Sequence, residues 1–166
     1  RSPIGFNLLV WTAAVSEKMN PMVERLKTIG YDGIECFIDN QDVAVYKQFG
    51  DHLSQLELGR TCVTVVGPDE NPASDSILVR QRAVDHLKGV VDRAHAMGAT
   101  IICGPFHSAF STFSRREPQP DEYARSAEVL HAVGDYAQQA NIILTLEALN
   151  RFECYLCNTM AQLSDL

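Results

Sequence analysis

Short β-type apolar runs alternate with helical stretches along the chain, and this alternation restricts its possible folds more than any other feature. The runs are Ile4–Val10, Gly33–Ile38, Thr61–Val66, Thr100–Cys103 and Ile142–Glu147. Between them, apolar residues recur at helical steps: Met22, Leu26 and Ile29; Val84, Leu87, Val91 and Ala94; Val129, Leu130, Val133 and Ala137. Arg80, Arg82, Lys88 and Arg93 fall outside the second of these stripes, as on a half-solvated helix. Gly30, Gly59 and Gly98 stand where a helix should end. Asn20 before Pro21 reads as a helix cap, as does Asp121 after Pro118 and Pro120. The order is β-α-β-α-β-α-β-α-β followed by the start of another helix. No linker or composition shift interrupts it, so residues 1–166 are expected to form one domain.

Strand alternating with helix implies parallel strands joined by right-handed crossovers, in either a (β/α)8 barrel or an open doubly wound sheet. No Gly-x-Gly-x-x-Gly or Gly-x-x-x-x-Gly-Lys follows any strand, so an open sheet would lack its phosphate cradle. In the fifth run Ile143, Thr145 and Glu147 share a face, opposite Ile142, Leu144, Leu146 and Ala148. In the second, Glu35 shares a face with Gly33 and Phe37. A polar face ending in a carboxylate at a strand's C-terminal end suits a barrel mouth, so the barrel is the expected fold.

Composition excludes some partners. With 14 Lys+Arg against 21 Asp+Glu, the net charge of −7 disfavours a nucleic-acid backbone as ligand. No apolar run approaches the roughly 20 residues of a membrane-spanning helix, and the N-terminus does not read as a secretory signal. The cysteines, Cys36, Cys62, Cys103, Cys154 and Cys157, are odd in number and lie mostly in apolar runs. This pattern implies buried free thiols in a reducing cytoplasm. Cys154-x-x-Cys157 lacks the second Cys/His pair of a zinc site and follows the fifth strand rather than the first, so it reads as structural.

The segment Leu146-Glu147-Ala148-Leu149-Asn150-Arg151-Phe152-Glu153-Cys154-Tyr155 is the most informative. Glu147 ends an apolar strand and Glu153 lies in the following loop. Carboxylates placed there can hold a hard divalent cation or move protons. Alternatively, Glu147 opens a solvated loop and Glu153 pairs with Arg151. Glu35 reads as a mouth residue or as an inward polar residue held by hydrogen bonds. His107, after Gly104-Pro105-Phe106, either touches substrate or orders the loop 105–116. His52, His86, His95 and His131 fall in helical stretches and read as solvated or partly buried surface residues, and Arg115-Arg116 reads as a solvated pair.

The run LEALNRFECYLCNT resembles the fifth-strand motif of the D-tagatose 3-epimerase and D-psicose (allulose) 3-epimerase family, within the xylose-isomerase-like TIM barrels. IGFNLLVW, GYDGIE and CGPFHSAF resemble its first, second and fourth strands, so the likeness spans the chain. It implies metal-dependent epimerisation of a free ketose at C3 through an enediolate. Glu147 would then be a metal ligand and an acid/base carboxylate. Glu153, His107, Asn7 and Trp11 would be substrate-binding residues. The expected cofactor is a divalent metal, Mn²⁺ with Mg²⁺ or Co²⁺ as alternatives, and the expected state a cytoplasmic homo-oligomer.

A complete barrel of this kind takes about 250 residues, and the resemblance implies further ligands (an Asp, a His and a second Glu) from later strands. The chain therefore reads as the N-terminal part, about five βα units, of an α/β xylose-isomerase-like barrel. It is either a fragment or a natural partial barrel that hides its open edges against another chain. In both cases it is expected to lack substantial epimerase activity by itself. The rival expectations are an isomerase that shifts a carbonyl between C1 and C2, and a non-catalytic sugar-binding or assembly module.

Overall fold

A computed structural model describes residues 1–166. Five strands, β1 (Gly5–Asn7), β2 (Gly33–Phe37), β3 (Gly59–Val63), β4 (Ile101–Gly104) and β5 (Ile143–Leu146), form one sheet in the order β1-β2-β3-β4-β5. Every neighbouring pair is parallel. The crossovers carry α1 (Asn20–Ile29), α2 (Val43–Gln55), α3 (Ile77–Met97) and α4 (Pro120–Gln139), and α5 (Met160–Asp165) follows β5. Strand order equal to chain order is what a closing barrel requires, since each βα unit adds its strand beside the last.

Alternation along the strands separates two faces. Ile34, Cys36, Cys62 and Ile102 point toward the helices and are buried. They join Leu26, Tyr46, Phe49, Leu53, Leu87, Val91, Val129 and Val133 in one core of 26 buried residues. Each large aliphatic side chain buried there contributes roughly 1.5–3 kcal/mol. The opposite face, which carries Glu35, Thr61, Val63, Cys103 and Thr145, is only partly covered.

Several local expectations need correction. The first strand stops at Asn7, and Leu8–Val10 turn into a 3-10 helix because the Asn7 side chain accepts a hydrogen bond from Leu9 N. On α1, Val23 and Leu26 face the core, leaving Met22 and Ile29 exposed. Asn20 is the first residue of that helix rather than its cap. The fourth helix is capped by Gln119, whose side chain and that of Glu122 form a reciprocal capping box. Asp121 instead pairs with Arg125 at 2.6 Å. Gly30 and Gly98 end α1 and α3 in left-handed geometry as expected. Gly59 opens β3, and the positive φ after α2 falls on Glu57.

Gly50, inside α2, fixes how closely α2 approaches the end of α3. A Cβ there would lie 2.2 Å from the Met97 carbonyl oxygen, with only backbone to give way. At Gly134, inside α4, an added Cβ would meet nothing within 4 Å. Gly→Ala within a helix ordinarily gains about 1 kcal/mol, so the two sites should respond with opposite sign. Gly134→Ala is expected to raise stability by about 0.5–1 kcal/mol, and Gly50→Ala to lower it by about 1–3 kcal/mol through overpacking. Urea denaturation of both variants checks this.

Candidate active site

The parallel register builds the less-covered face of the sheet in rows. Asn7, Glu35 and Thr61 are adjacent across β1, β2 and β3. One level toward the strands' C-terminal ends, Phe37, Val63, Cys103 and Thr145 are adjacent across β2 to β5. In the lower row the Glu35 carboxylate accepts from Asn7 Nδ2 at 2.8 Å through one oxygen and from Thr61 Oγ1 at 2.9 Å through the other. Glu35 is thus an inward polar residue, satisfied by its neighbours.

Glu147 stands just past β5. Its backbone N–H donates to Gly104 O at 3.0 Å, continuing the pairing of β5 with β4 beyond the strand's end. Its carbonyl is 3.1 Å from His107 Nε2. The residue is exposed, and no hydrogen bond or ion pair within the chain engages its carboxylate. A backbone tied on both sides beneath an uncommitted carboxylate is a fixed, available oxygen ligand or proton acceptor.

Glu153 lies in a turn organised by Asn150. The Asn150 side chain donates to the Glu153 carboxylate and accepts from Phe152 N, while Glu153 N donates to Asn150 O. The Glu153 carbonyl accepts from Ser111 N at 2.8 Å, which joins the loop after β5 to the loop after β4. Phe110 N in turn donates to Val66 O at 2.9 Å, and Ala109 N to Asn71 Oδ1 at 3.1 Å, which adds the loop after β3. Glu122, almost fully buried, accepts from Arg116, Gln119 N and the Tyr155 hydroxyl. Burial and the Glu122 carboxylate push the Tyr155 hydroxyl pKa well up. Tyr123 OH donates to Leu156 O at 2.7 Å. The three loops form one stitched rim.

His107 is fully buried. Nε2 faces Glu147 O, Nδ1 is 3.3 Å from Ser108 Oγ, and its carbonyl accepts from Ser126 Oγ at 2.6 Å. Burial depresses its pKa, with the Glu147 hydrogen bond partly opposing, so the ring is held toward its neutral form. The contacts place His107 behind the Glu147 loop, with both ring nitrogens occupied. Trp11, half exposed, stacks on Phe6 with ring centroids 4.5 Å apart. Phe6 is in register with Ile34, whose side chain joins the core, so this aromatic pair is on the side away from Asn7 and Glu35. Register therefore brings Asn7 and Glu35 together, and loop bonding joins Glu147, His107 and Glu153, while Trp11 stands apart from both groups.

Cys154 and Cys157 are free and buried beside Leu156 and Ala73. Burial, with Cys154 nearby, pushes the Cys157 thiol up to about 12, which suits a packing role. No group of three or more His, Cys, Asp or Glu side chains is arranged to hold a metal ion. Glu147 fits a hard divalent cation as one carboxylate ligand, not as a complete site. The stitching of the three loops was not readable from the sequence, although Asn71, Asn150 and Ser111 are polar turn residues of the kind that make such bonds.

A profile of the xylose isomerase-like TIM barrel family matches residues 23–166. The chain is 29% identical over 161 residues to an L-ribulose 3-epimerase of Mesorhizobium japonicum, covering 96% of this chain and 54% of that protein. It is 26% identical over 162 residues to a D-psicose 3-epimerase of Agrobacterium fabrum, covering 92% and 54%. A solved structure of L-ribulose 3-epimerase superposes with a TM-score of 0.89 at 25% identity, covering 99% of this chain and 56% of that one. A D-allulose 3-epimerase of Methylomonas sp., solved in complex with D-allulose, gives 0.87 at 23% identity, covering 99% and 57%, a likeness of fold. The chain spans about half the length of the curated relatives it matches.

The burial of His107 sets the sign of a pH effect. A histidine whose pKa is depressed in the fold binds its proton more readily in the unfolded chain. Stability is therefore expected to fall as pH drops below the ordinary histidine value of 6.5. His107→Gln keeps a side-chain N–H donor but cannot titrate, so its melting temperature should decline less between about pH 6.5 and 5. Parallel thermal melts measure the difference in slope.

Proposed function

The chain belongs to the xylose isomerase-like TIM barrel family, and on that premise we propose that the protein inverts the C3 centre of a free ketose. The observation that carries this reading is Glu147, an exposed, uncommitted carboxylate whose backbone is tied to Gly104 and His107 at the C-terminal end of β5. The similar L-ribulose and D-psicose 3-epimerases support the reaction type.

Glu147 would hold a divalent cation through a carboxylate oxygen, Mn²⁺ in the first instance, with Mg²⁺ or Co²⁺ as alternatives. Such a cation supplies Lewis-acid polarisation of substrate oxygens. In this reading Glu147 also exchanges a proton at C3. Its carboxylate takes the proton from one face, the C–H electron pair moves into the adjacent carbonyl to give an enediolate, and a second acid returns a proton to the other face. Inversion follows, with no net change in composition. His107 contributes by holding the Glu147 backbone and Glu153 by accepting from sugar hydroxyls. Asn7, fixed by Glu35, would form the β1 side of the pocket, and Trp11, stacked on Phe6 away from that face, is left out of it. The free thiols accord with a cytoplasmic setting.

Glu147→Gln in the complete enzyme is expected to lower kcat for D-fructose–D-allulose interconversion by about 10²–10⁴-fold. Glu153→Gln should act mainly through a higher KM. NMR of the sugar mixture reads both, and it also detects aldose. Aldose as the main product, or a Glu147→Gln enzyme of undiminished kcat, would contradict the proposal.

A further inference from the structure

A polar cleft of about 350 Å³ lies against α3, between the loop after β2 and the 3-10 turn Pro68–Glu70. No hydrophobic residue lines it, and none of its lining residues belongs to the set around Glu147. Arg82 and Arg93 both face it. Arg82 donates through Nε to Asp69 O at 2.9 Å, and Arg93 through Nε to Gln41 O at 2.8 Å. Neither arginine enters an ion pair. The terminal guanidinium nitrogens of both are thus left without a protein acceptor.

In a chain of net charge −7, two arginines at one cleft without carboxylate partners call for an explanation. Two acidic residues, Glu70 and Asp85, also line the cleft, and each carboxylate meets a neighbour other than these arginines. The Glu70 carboxylate lies 3.3 Å from His86 Nδ1, and the Asp85 carboxylate accepts from Gln81 Nε2 at 3.0 Å. His86 Nε2, which also belongs to the lining residues, is buried and has no hydrogen-bond partner.

Gly89 lies beneath the head of Arg93. Glycine inside a helix costs about 1 kcal/mol relative to alanine. Here a Cβ would fall 2.7 Å from Arg93 Nη1, the mobile end of that side chain, so an alanine would push the guanidinium aside. The planar fork of arginine matches a tetrahedral oxyanion through paired N–H groups, which a lysine could not do with the same geometry.

We propose that this cleft binds a phosphate group through the free terminal guanidinium nitrogens of Arg82 and Arg93. The group is carried either by free phosphate or by a phosphorylated small molecule. Its binding would tie the loops after β2 and β3 to α3. The inference does not depend on the reaction at Glu147.

Calorimetric titration of the complete protein with inorganic phosphate, and separately with fructose 6-phosphate, tests it. Saturable binding is expected, weakened about tenfold or more by Arg82→Gln and by Arg93→Gln, the loss typical of a charge-assisted contact. Gly89→Ala should weaken binding by displacing the Arg93 head while thermal stability is kept or raised, which separates loss of the site from loss of the fold. Tighter binding of the sugar phosphate with the same arginine dependence identifies a phosphorylated metabolite as the ligand, and equal binding identifies the phosphate alone. No saturation with either probe by about 1 mM, or binding indifferent to both arginines, would overturn the proposal.

Discussion

The parallel hydrogen-bonded register of β1 to β5 is the constraint on which the rest of the structure depends. It puts alternate side chains on opposite faces of one sheet, so a one-residue slip would exchange core for interior throughout. With the observed pairing, Ile34, Cys36, Cys62 and Ile102 meet the helices, while Glu35, Thr61, Val63 and Thr145 line the other face. The same register lets one carboxylate, Glu35, be satisfied by Asn7 on one side and Thr61 on the other. It also carries the chain out of β5 so that Glu147 emerges beside Gly104 and the His107 loop.

Above the strands, order comes from hydrogen bonds between loops together with a small buried cluster of Ala73, Cys154, Leu156 and Cys157. Val66 to Phe110, Ser111 to Glu153 and Asn71 to Ala109 link three successive βα loops. The charged group among them, Glu122, is satisfied by Arg116, Gln119 and Tyr155, which keeps a buried carboxylate tolerable. The candidate chemistry therefore rests on a scaffold that restricts the motion of Glu147 and Glu153 while leaving the Glu147 side chain free. That arrangement suits a residue that must act on a bound substrate.

Features with a local cause were legible from residue order. The βα alternation, the core stripes of α3 and α4, the left-handed ends at Gly30 and Gly98, and the strand-end position of Glu147 all follow from spacing and side-chain type. What sequence could not supply depended on competition between neighbours or on contacts distant in the chain. Asn7 stops β1 because its side chain captures Leu9 N. Gln119 displaces Asp121 as cap because Glu122 is placed to answer it. His107 was open to two readings, and only the fold shows that Glu147 O and Ser108 Oγ occupy its ring. The Arg82–Arg93 cleft brings together one helix and two loops, so no run of sequence displays it.

On the proposed reaction, the carboxylate of Glu147 is the chemical focus of this face. The most direct measurement is anomalous diffraction from crystals of the complete protein soaked with Mn²⁺ and D-fructose. A manganese peak is expected within bonding distance of the Glu147 carboxylate, about 2.0–2.3 Å for a hard oxygen ligand, with sugar oxygens beside it. A manganese peak elsewhere, with Glu147 unbound and the sugar away from the end of β5, would contradict it.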